Sequence, residues 1–300
     1  MESFKQRKLL CIGGSTKCGT TTLFDLLNQL DEIDGAVRKE TRYFMSEGYP
    51  LNRSYFYEEG SKDYSNFFKG KNTSSVLLDG TPDYMYNEEA LLRIRKEFES
   101  SYFVIVVRNP IDRFLSWFNF AKQIGQLNKD TLLEEFIEAQ LPVVDISKPQ
   151  IKNVLAQGRY SDFISRVEDI FNNDVLVISF DELKSNPKSV IAKIGDLIGE
   201  SLDVEKINYR VSNKTVNIKN QTVHNAYLKV RLFFNSRTAF FPAVHRVGRK
   251  IRLLIDKIMF SLNADEKKLE RLDEKTLGYL NEYYRYDPTA CAYHKHGYFL

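Results

Sequence analysis

Short apolar runs alternate along this chain with segments whose apolar residues recur at helical spacing. The runs have the length of buried parallel strands and occupy residues 9–12, 76–78, 102–107 and 175–180. Helical spacing is found in residues 20–30, 88–99, 111–120, 157–171, 189–198 and 266–286. This alternation predicts an α/β protein with three αβα layers around a central, mainly parallel sheet. Because no repeat, low-complexity linker or composition break divides the chain, we expect a single domain over residues 1–300.

The first apolar run leads into a turn that predicts an anion-binding site. Gly13 and Gly14 end the strand, and a helix is expected to begin near Gly19 or Thr20. The N-terminus of a helix offers free backbone N–H groups and a positive dipole end, and hydroxyl and ammonium groups add donors. The candidate ligands of a bound phosphate are Ser15, Thr16, Lys17, Cys18, Gly19, Thr20, Thr21 and Thr22.

The third apolar run leads into a second candidate phosphate site. Arg108, Asn109 and Pro110 follow the strand directly, and proline is well tolerated at the start of the next helix. A guanidinium can bind phosphate as a bidentate fork, and Ser116 lies two helical turns further on. The structural alternative makes Arg108 a partner in a strand-end salt bridge and Ser116 a packing residue.

These motifs resemble those of sulfotransferases that use 3′-phosphoadenosine-5′-phosphosulfate (PAPS). The sequence VVRNPIDRFLSWFNF resembles the family's 3′-phosphate motif, and the loop around Lys17 resembles its 5′-phosphosulfate loop. The resemblance implies the P-loop-like sulfotransferase fold, with Arg108 and Ser116 on the 3′-phosphate and Lys17 as a catalytic cation beside the leaving phosphate. It implies PAPS as the cofactor, with no metal.

Two other functions remain open at this stage. A P-loop kinase or nucleoside triphosphatase using ATP and Mg²⁺ shares the strand, loop and helix, but its motif places lysine after the second glycine. Here Lys17 comes two residues before Gly19, and no convincing Walker B aspartate is found. A nucleotide-binding, membrane-peripheral protein without turnover is the other alternative.

The segment after the first helix resembles the Lys-Glu-x-x-aromatic-Phe sequence of heparan-type sulfotransferases. Lys39 and Glu40 precede Tyr43 and Phe44 here, and the resemblance implies that Glu40 is the base that deprotonates the acceptor. A partly buried glutamate can reach the pKa that such a base needs. The alternative is a pair of solvated charges on a loop. Lys39 and Arg42 are the candidate acceptor ligands in this segment.

The second apolar run is followed by DGTPDYMY, which should face the cleft because ligands bind beyond the carboxyl ends of parallel strands. The family often has Glu-Lys-[ST]-Pro-x-Tyr here. Asp79 replaces the glutamate and Gly80 the lysine, whereas Thr81, Pro82 and Tyr84 match. Asp79 and Tyr84 are the remaining candidate acceptor ligands. The missing lysine removes a cation that could hold an acidic glycan.

Two late segments complete the candidate surfaces. Lys214 lies in a stretch without apolar periodicity and is a candidate nucleotide ligand. Residues 225–263 are basic and suit one or two amphipathic helices, which could contact an anionic membrane or an acidic glycan, or simply pack on the core with a basic outer face.

Composition limits the remaining choices. Hydrophobic residues make up 43% and charged residues 28% of the chain, as in soluble globular proteins, and a formal charge of +3 argues for no nucleic acid partner. Cys11, Cys18 and Cys291 are an odd number without metal-site spacing, which favours a reducing compartment. Since no signal peptide or membrane-spanning run is found, we expect a cytoplasmic sulfotransferase, with peripheral membrane contact left open.

The expected acceptor is a small molecule or a glycan. The family resemblance favours a carbohydrate or glycolipid, which would accept the sulfuryl group on a hydroxyl or an amine. The oligomeric state is not predicted.

Overall fold

A computed structural model gives the fold of the chain and describes residues 5–46, 49, 57, 63–68, 75–128, 130–140, 154–209, 217–218, 227, 264–265, 272–285 and 287. The residues group into two compact units. The first unit contains residues 1–114, 139–213 and 278–300, and the second contains residues 115–138 and 214–277. A single domain over residues 1–300 stays a prediction.

The first unit is built on a parallel sheet of five strands in the order β2-β3-β1-β4-β5. The strands are β1 (Lys8–Gly14), β2 (Ile33–Gly35), β3 (Val76–Asp79), β4 (Ser101–Val107) and β5 (Val175–Ser179). Cys11 of β1 pairs with Asp79 on one side and with Phe103 on the other. The chain therefore builds outward from β1 in both directions, and ligands of such sheets bind at the carboxyl ends beside this point. The predicted parallel sheet is confirmed.

Two edge strands differ from the sequence prediction. Residues 31–35 lie outside the apolar runs that predict strands, but Ile33 is buried and Ile33–Gly35 pairs with β3 as the edge strand β2. The predicted buried strand over residues 175–180 is mostly half-buried, and Val177 is exposed. Its position at the end of the sheet order explains this, since β5 pairs only with β4 in the described sheet. Phe180 begins the next helix and does not extend the strand.

Helices connect the strands, and most occupy the predicted segments. They are α1 (Thr20–Leu27), α2 (Glu88–Glu97), α3 (Pro110–Gln123), α4 (Leu133–Glu138), α5 (Tyr160–Phe171), α6 (Phe180–Ser185), α7 (Pro187–Ile198) and α8 (Glu274–Tyr284). Helix α5 starts later than predicted, because residues 156–158 form a separate 3-10 turn. Helix α8 lies within the predicted segment 266–286, of which residues 266–271 and 286 are outside the described residues, and Leu277 in this helix is 36% exposed.

The second unit contains most of α3, all of α4 and a two-stranded antiparallel pair, β6 (Asn217–Ile218) with β7 (Ala264–Asp265). The ring of Trp117 stacks on that of Phe136 with a centroid separation of 5.7 Å. Apart from Tyr227, the basic segment 225–263 lies outside the described residues. None of the helices in the described parts of the chain is long and apolar enough to cross a membrane.

Candidate phosphate and catalytic site

The turn from β1 into α1 contains three residues with positive φ, a backbone conformation that is uncommon outside glycine. Gly14 and Gly19 both have positive φ, at 121° and 87°, and Lys17 itself adopts the left-handed conformation at φ 78°. A Cβ at Gly14 would lie 2.5 Å from the carbonyl oxygen of Val106. Glycine therefore lets the loop pass against β4 and turn into the N-terminus of α1.

A buried arginine holds the start of the loop between β1 and α1 by a hydrogen bond. Arg113 of α3 is fully buried and donates a hydrogen bond of 3.0 Å to Ser15 Oγ and another to the carbonyl oxygen of Val154. Ser15 is the first loop residue, so Arg113 fixes the point at which the loop leaves β1. Arg113 belongs to the sequence motif VVRNPIDRFLSWFNF, together with Arg108 and Ser116.

Cys18 is held in the same buried layer. Its Sγ lies 3.6 Å from the hydroxyl oxygen of Tyr160, and its backbone N–H donates to the carbonyl of Ser15. Burial raises the pKa of the Cys18 thiol, although nearby Arg113 acts in the opposite direction. Cys18 therefore shapes the loop through its backbone and its contact with α5.

Arg108 joins the carboxyl end of β4 to the loop. Its Nη1 donates to the backbone carbonyl of Lys17 at 3.3 Å, and its guanidinium carbon lies 4.8 Å above the Phe180 ring centre. Burial, together with the positive charge of Arg108, lowers the pKa of Lys17 to about 8. The structure thus brings Arg108 close to Lys17, although the sequence assigned these two cations to opposite ends of a nucleotide. The alternative role of Arg108 was a salt bridge at the end of the strand, whereas its described contacts are with the Lys17 carbonyl and the Phe180 ring.

Glu40 lies between two cations. Its carboxylate pairs with Arg42 and with Lys39, the latter at 3.5 Å, and its side chain is 34% exposed. Arg42 has a positive φ of 55° and also contacts Asp83 Oδ2 through Nε at 3.4 Å. Asp83 is itself buried, and this burial raises the pKa of its carboxyl. Arg42 is thus held by two carboxylates.

Lys39 reaches from this cluster to the phosphate loop. Its Nζ donates to Thr20 Oγ1 at 3.2 Å, in the first turn of α1. Burial lowers the pKa of Lys39, with Glu40 acting in the opposite direction. The predicted base and the predicted phosphate loop, about twenty residues apart in sequence, therefore share one lysine.

Asp79 and Tyr84 form a closed structural centre. Asp79 is fully buried and accepts hydrogen bonds from the hydroxyls of Thr41, Thr81, Tyr64 and Tyr84. The hydroxyl oxygens of Tyr84 and Thr41 lie 2.9 Å apart. Since neither Asp79 nor Tyr84 has an exposed surface, the expectation that they contact an acceptor is corrected: they anchor the segment that carries Glu40.

The remaining candidates are distributed less tightly. Thr16, Thr21 and Thr22 are half-buried around the loop and the start of α1. Ser116 lies in α3 within the second unit, so its role stays a prediction. Lys214 lies outside the described residues. Within the described parts of the chain, no group of three or more His, Cys, Asp or Glu side chains is placed to hold a metal ion.

Three site residues were missed from the sequence. Arg113 carried a signal, because it stands in the motif with Arg108 and Ser116. Phe180 and Asp83 carried none, since each looks like an ordinary core or loop residue until the fold brings it against an arginine.

The chain is similar in sequence and in fold to known proteins. The model of the sulfotransferase domain family matches residues 8–241. A membrane-associated sulfotransferase (kil1) of Dictyostelium discoideum is 29% identical over 136 residues. That match covers 44% of this chain and 28% of the relative, so the chain spans under a third of the relative's length.

Among solved structures, a sulfotransferase from Alicyclobacillus acidocaldarius superposes with a TM-score of 0.57 at 20% identity. The superposition covers 79% of this chain and 92% of that protein. This likeness bears on the fold alone, and it confirms the predicted three-layer α/β architecture.

Proposed function

Because the chain belongs to the sulfotransferase domain family, we propose that it transfers a sulfuryl group from PAPS to a hydroxyl or amine of an acceptor. The observation that carries this proposal is the contact between Arg108 and the Lys17 carbonyl. It joins the carboxyl ends of adjacent strands β1 and β4, where a nucleotide with phosphates at both its 3′ and 5′ positions would be gripped from two sides.

The residues of the loop suit a phosphosulfate. Lys17 supplies an ammonium, and the N-terminus of α1 supplies backbone N–H groups, with no acidic residue in its first turn. Arg108 supplies a planar guanidinium for the 3′-phosphate. PAPS brings the activated sulfuryl group.

The proposed reaction assigns a role to each of these residues. Glu40 accepts the proton of the acceptor as its oxygen or nitrogen forms a bond to sulfur. The bond from sulfur to the 5′-phosphate oxygen breaks in line, and its electron pair remains on that oxygen. Lys17 stabilises the charge that develops there, a task for which a preorganised, poorly solvated ammonium is effective.

The acceptor is proposed from sequence resemblance as a carbohydrate or glycolipid. Glu40 is the partly exposed member of the cluster, which suits a group that must meet an acceptor from outside. A screen of glycans, glycolipids and aryl alcohols with [³⁵S]PAPS would identify the class. Transfer only to aryl alcohols would overturn the carbohydrate assignment and leave the donor assignment intact.

The donor is tested by calorimetric titration with 3′-phosphoadenosine-5′-phosphate (PAP), compared with ATP in the presence of Mg²⁺. We expect metal-independent binding of PAP that falls at least 100-fold in Arg108→Ala. Arg166→Ala is the matched control, because Arg166 makes a salt bridge with Glu88 away from the loop. A preference for ATP with Mg²⁺, unaffected by Arg108→Ala, would overturn the proposal in favour of a kinase or triphosphatase.

Cytoplasmic location with peripheral membrane contact is the accompanying proposal. It is supported by the basic composition of residues 225–263 and by the name of the Dictyostelium relative. Co-sedimentation with phosphatidylserine vesicles should exceed that with phosphatidylcholine vesicles and should fall in 0.5 M salt. Equal recovery with both vesicles would contradict it.

A further inference from the structure

Gly80, at the carboxyl end of β3, is covered by the side chain of Lys39. A Cβ at Gly80 would lie 2.8 Å from Lys39 Cγ, 3.1 Å from Lys39 Cε and 2.8 Å from the Phe24 ring. The backbone N–H of Gly80 also donates to the Lys39 carbonyl at 2.9 Å. Gly80 is not one of the glycines with positive φ, so space, and not backbone conformation, requires a glycine here.

The route over Gly80 brings the Lys39 ammonium to an electropositive position. Its Nζ lies 3.2 Å from Thr20 Oγ1, in the first turn of α1, where the helix dipole is positive. Lys17 lies in the adjacent loop, and its lowered pKa reflects burial and a nearby cation. Proteins normally place anions at the N-terminus of a helix, so a partly buried lysine there points to an anion that binds between the cations.

The acidic groups near Lys39 do not account for the position of its ammonium beside α1. Glu40 contacts Nζ at 3.5 Å, and Asp83 and Asp25 act on it from further away. Glu40 is shared with Arg42, and Asp83 contacts the same arginine. Lys39 therefore spans the gap between the phosphate-binding helix and the proposed base, which is the gap that a transferring group must cross.

We propose that Lys39 contacts the sulfuryl group of PAPS, and that Gly80 determines this by leaving room for the lysine side chain. The proposal rests on the proposed function, and it moves Lys39 from the acceptor side, where the sequence placed it, to the donor side. As the acceptor attacks sulfur, the S–O bond to the phosphate breaks and its electron pair leaves with the phosphate oxygen. Lys39 screens the sulfuryl oxygens from Glu40, so that two anionic groups can approach each other.

A sulfuryl contact has a signature that needs no acceptor, because PAPS carries the group and PAP does not. Affinity is measured by equilibrium dialysis with [³⁵S]PAPS and by calorimetry with PAP. For Lys39→Met and Lys39→Gln we expect PAPS affinity to fall at least 10-fold while PAP affinity changes less than 3-fold. Equal losses for both nucleotides, or no loss for either, would overturn the proposal.

Charge relocation gives the second test. Lys39→Ala opens the space over Gly80, and the double variant Lys39→Ala/Gly80→Lys returns an ammonium from the neighbouring position. This double variant should bind PAPS at least 5-fold more tightly than Lys39→Ala does. The variant Lys39→Ala/Gly80→Met, whose methionine side chain has a similar length but no charge, should bind PAPS no more tightly than Lys39→Ala. Equal behaviour of the two double variants would contradict a role for the charge.

Folding and donor failures are separated within the same experiment. The Phe24 ring must shift slightly for any side chain at position 80, so each variant is first checked by thermal denaturation. If a double variant does not fold, the single variants Lys39→Met and Lys39→Gln decide the question. If the wild-type protein binds neither PAPS nor PAP, the proposed function itself fails; if it binds both and the variants leave the PAPS-to-PAP affinity ratio unchanged, only the role of Lys39 fails.

Discussion

The guanidinium carbon of Arg108 lies 4.8 Å above the centre of the Phe180 ring, while Nη1 of the same arginine donates to the carbonyl of Lys17. Phe180 starts α6 directly after β5, and its ring also lies against Gly19. One aromatic ring therefore positions both the predicted 3′-phosphate ligand and the end of the predicted 5′-phosphate loop.

Phe180→Leu should weaken PAP binding about 3- to 10-fold, since cation–π contacts contribute roughly 0.5–2 kcal/mol. Leucine keeps most of the apolar contact with Gly19 but loses the face of the ring. Calorimetric titration measures the effect, with Phe163→Leu in α5 as a control for loss of a buried ring. The same PAP affinity in Phe180→Leu and wild type would show that the ring does not orient Arg108.

Binding of PAP should depend on pH through Lys17. Burial lowers the pKa of this lysine to about 8, and the ammonium is charged below that value. PAP affinity should therefore be greatest below pH 8 and fall between pH 8 and 9.5 as the free protein loses the charge. Titrations across this range check the slope.

Lys17→Arg is the control for the pH dependence, because a guanidinium stays charged throughout. Its PAP affinity should be nearly independent of pH from 7 to 9.5. A wild-type affinity that stays flat across the same range would contradict the assignment.

Glu40→Gln should reduce turnover at least 100-fold, because an amide cannot accept the acceptor proton; general bases typically contribute 10²–10⁴-fold. PAP affinity should change less than 3-fold, since Glu40 is placed on the acceptor side of Lys39. Single-turnover transfer of [³⁵S]sulfate measures the rate. Turnover near the wild-type level with full PAP binding would remove Glu40 from the role of base.

Arg113→Lys should lower the free energy of unfolding by about 2–4 kcal/mol. The variant keeps the charge but cannot reach both Ser15 Oγ and the Val154 carbonyl, and an unpaired buried polar group costs about 1–3 kcal/mol. Urea denaturation measures the change. Arg159→Lys, at an exposed arginine, is the matched control and should be within about 0.5 kcal/mol of wild type.

Asp79→Ala should destabilise the first unit and displace Glu40 without touching a ligand. Four hydroxyl groups donate hydrogen bonds to Asp79. Because the substitution removes their buried acceptor, it should lower the free energy of unfolding by about 3–5 kcal/mol. Thermal denaturation checks the stability. A variant as stable as wild type would show that these hydroxyls find other partners.

The parallel sheet and the phosphate loop could be predicted from local sequence. Apolar runs of strand length mark β1, β3 and β4, and the glycines and threonines of residues 13–22 identify the turn into α1 through their own backbone preferences. Arg108 was identified by its place directly after the third apolar run and by the resemblance of VVRNPIDRFLSWFNF to the family's 3′-phosphate motif. These features depend on neighbours in the chain, so the sequence contains the information directly.

The edge strands and the side-chain contacts could not be predicted this way. Ile33–Gly35 has a single large apolar residue, and it forms a strand only because β3 offers a hydrogen-bonding edge. Val175–Ser179 looks like a buried strand, and only its place at the end of the sheet order explains why it is half-exposed.

By itself, the sequence identified Lys17 and Arg108 as candidate phosphate ligands, and its resemblance to sulfotransferases added Glu40 as the candidate base. Only the tertiary structure decided their partners, because contacts between Arg108 and Phe180, or between Lys39 and Thr20, join residues distant in the chain. It also placed Asp79 in the interior and Lys39 beside the first turn of α1. Burial and distance set the charge and reach of a side chain, and both are properties of the folded chain.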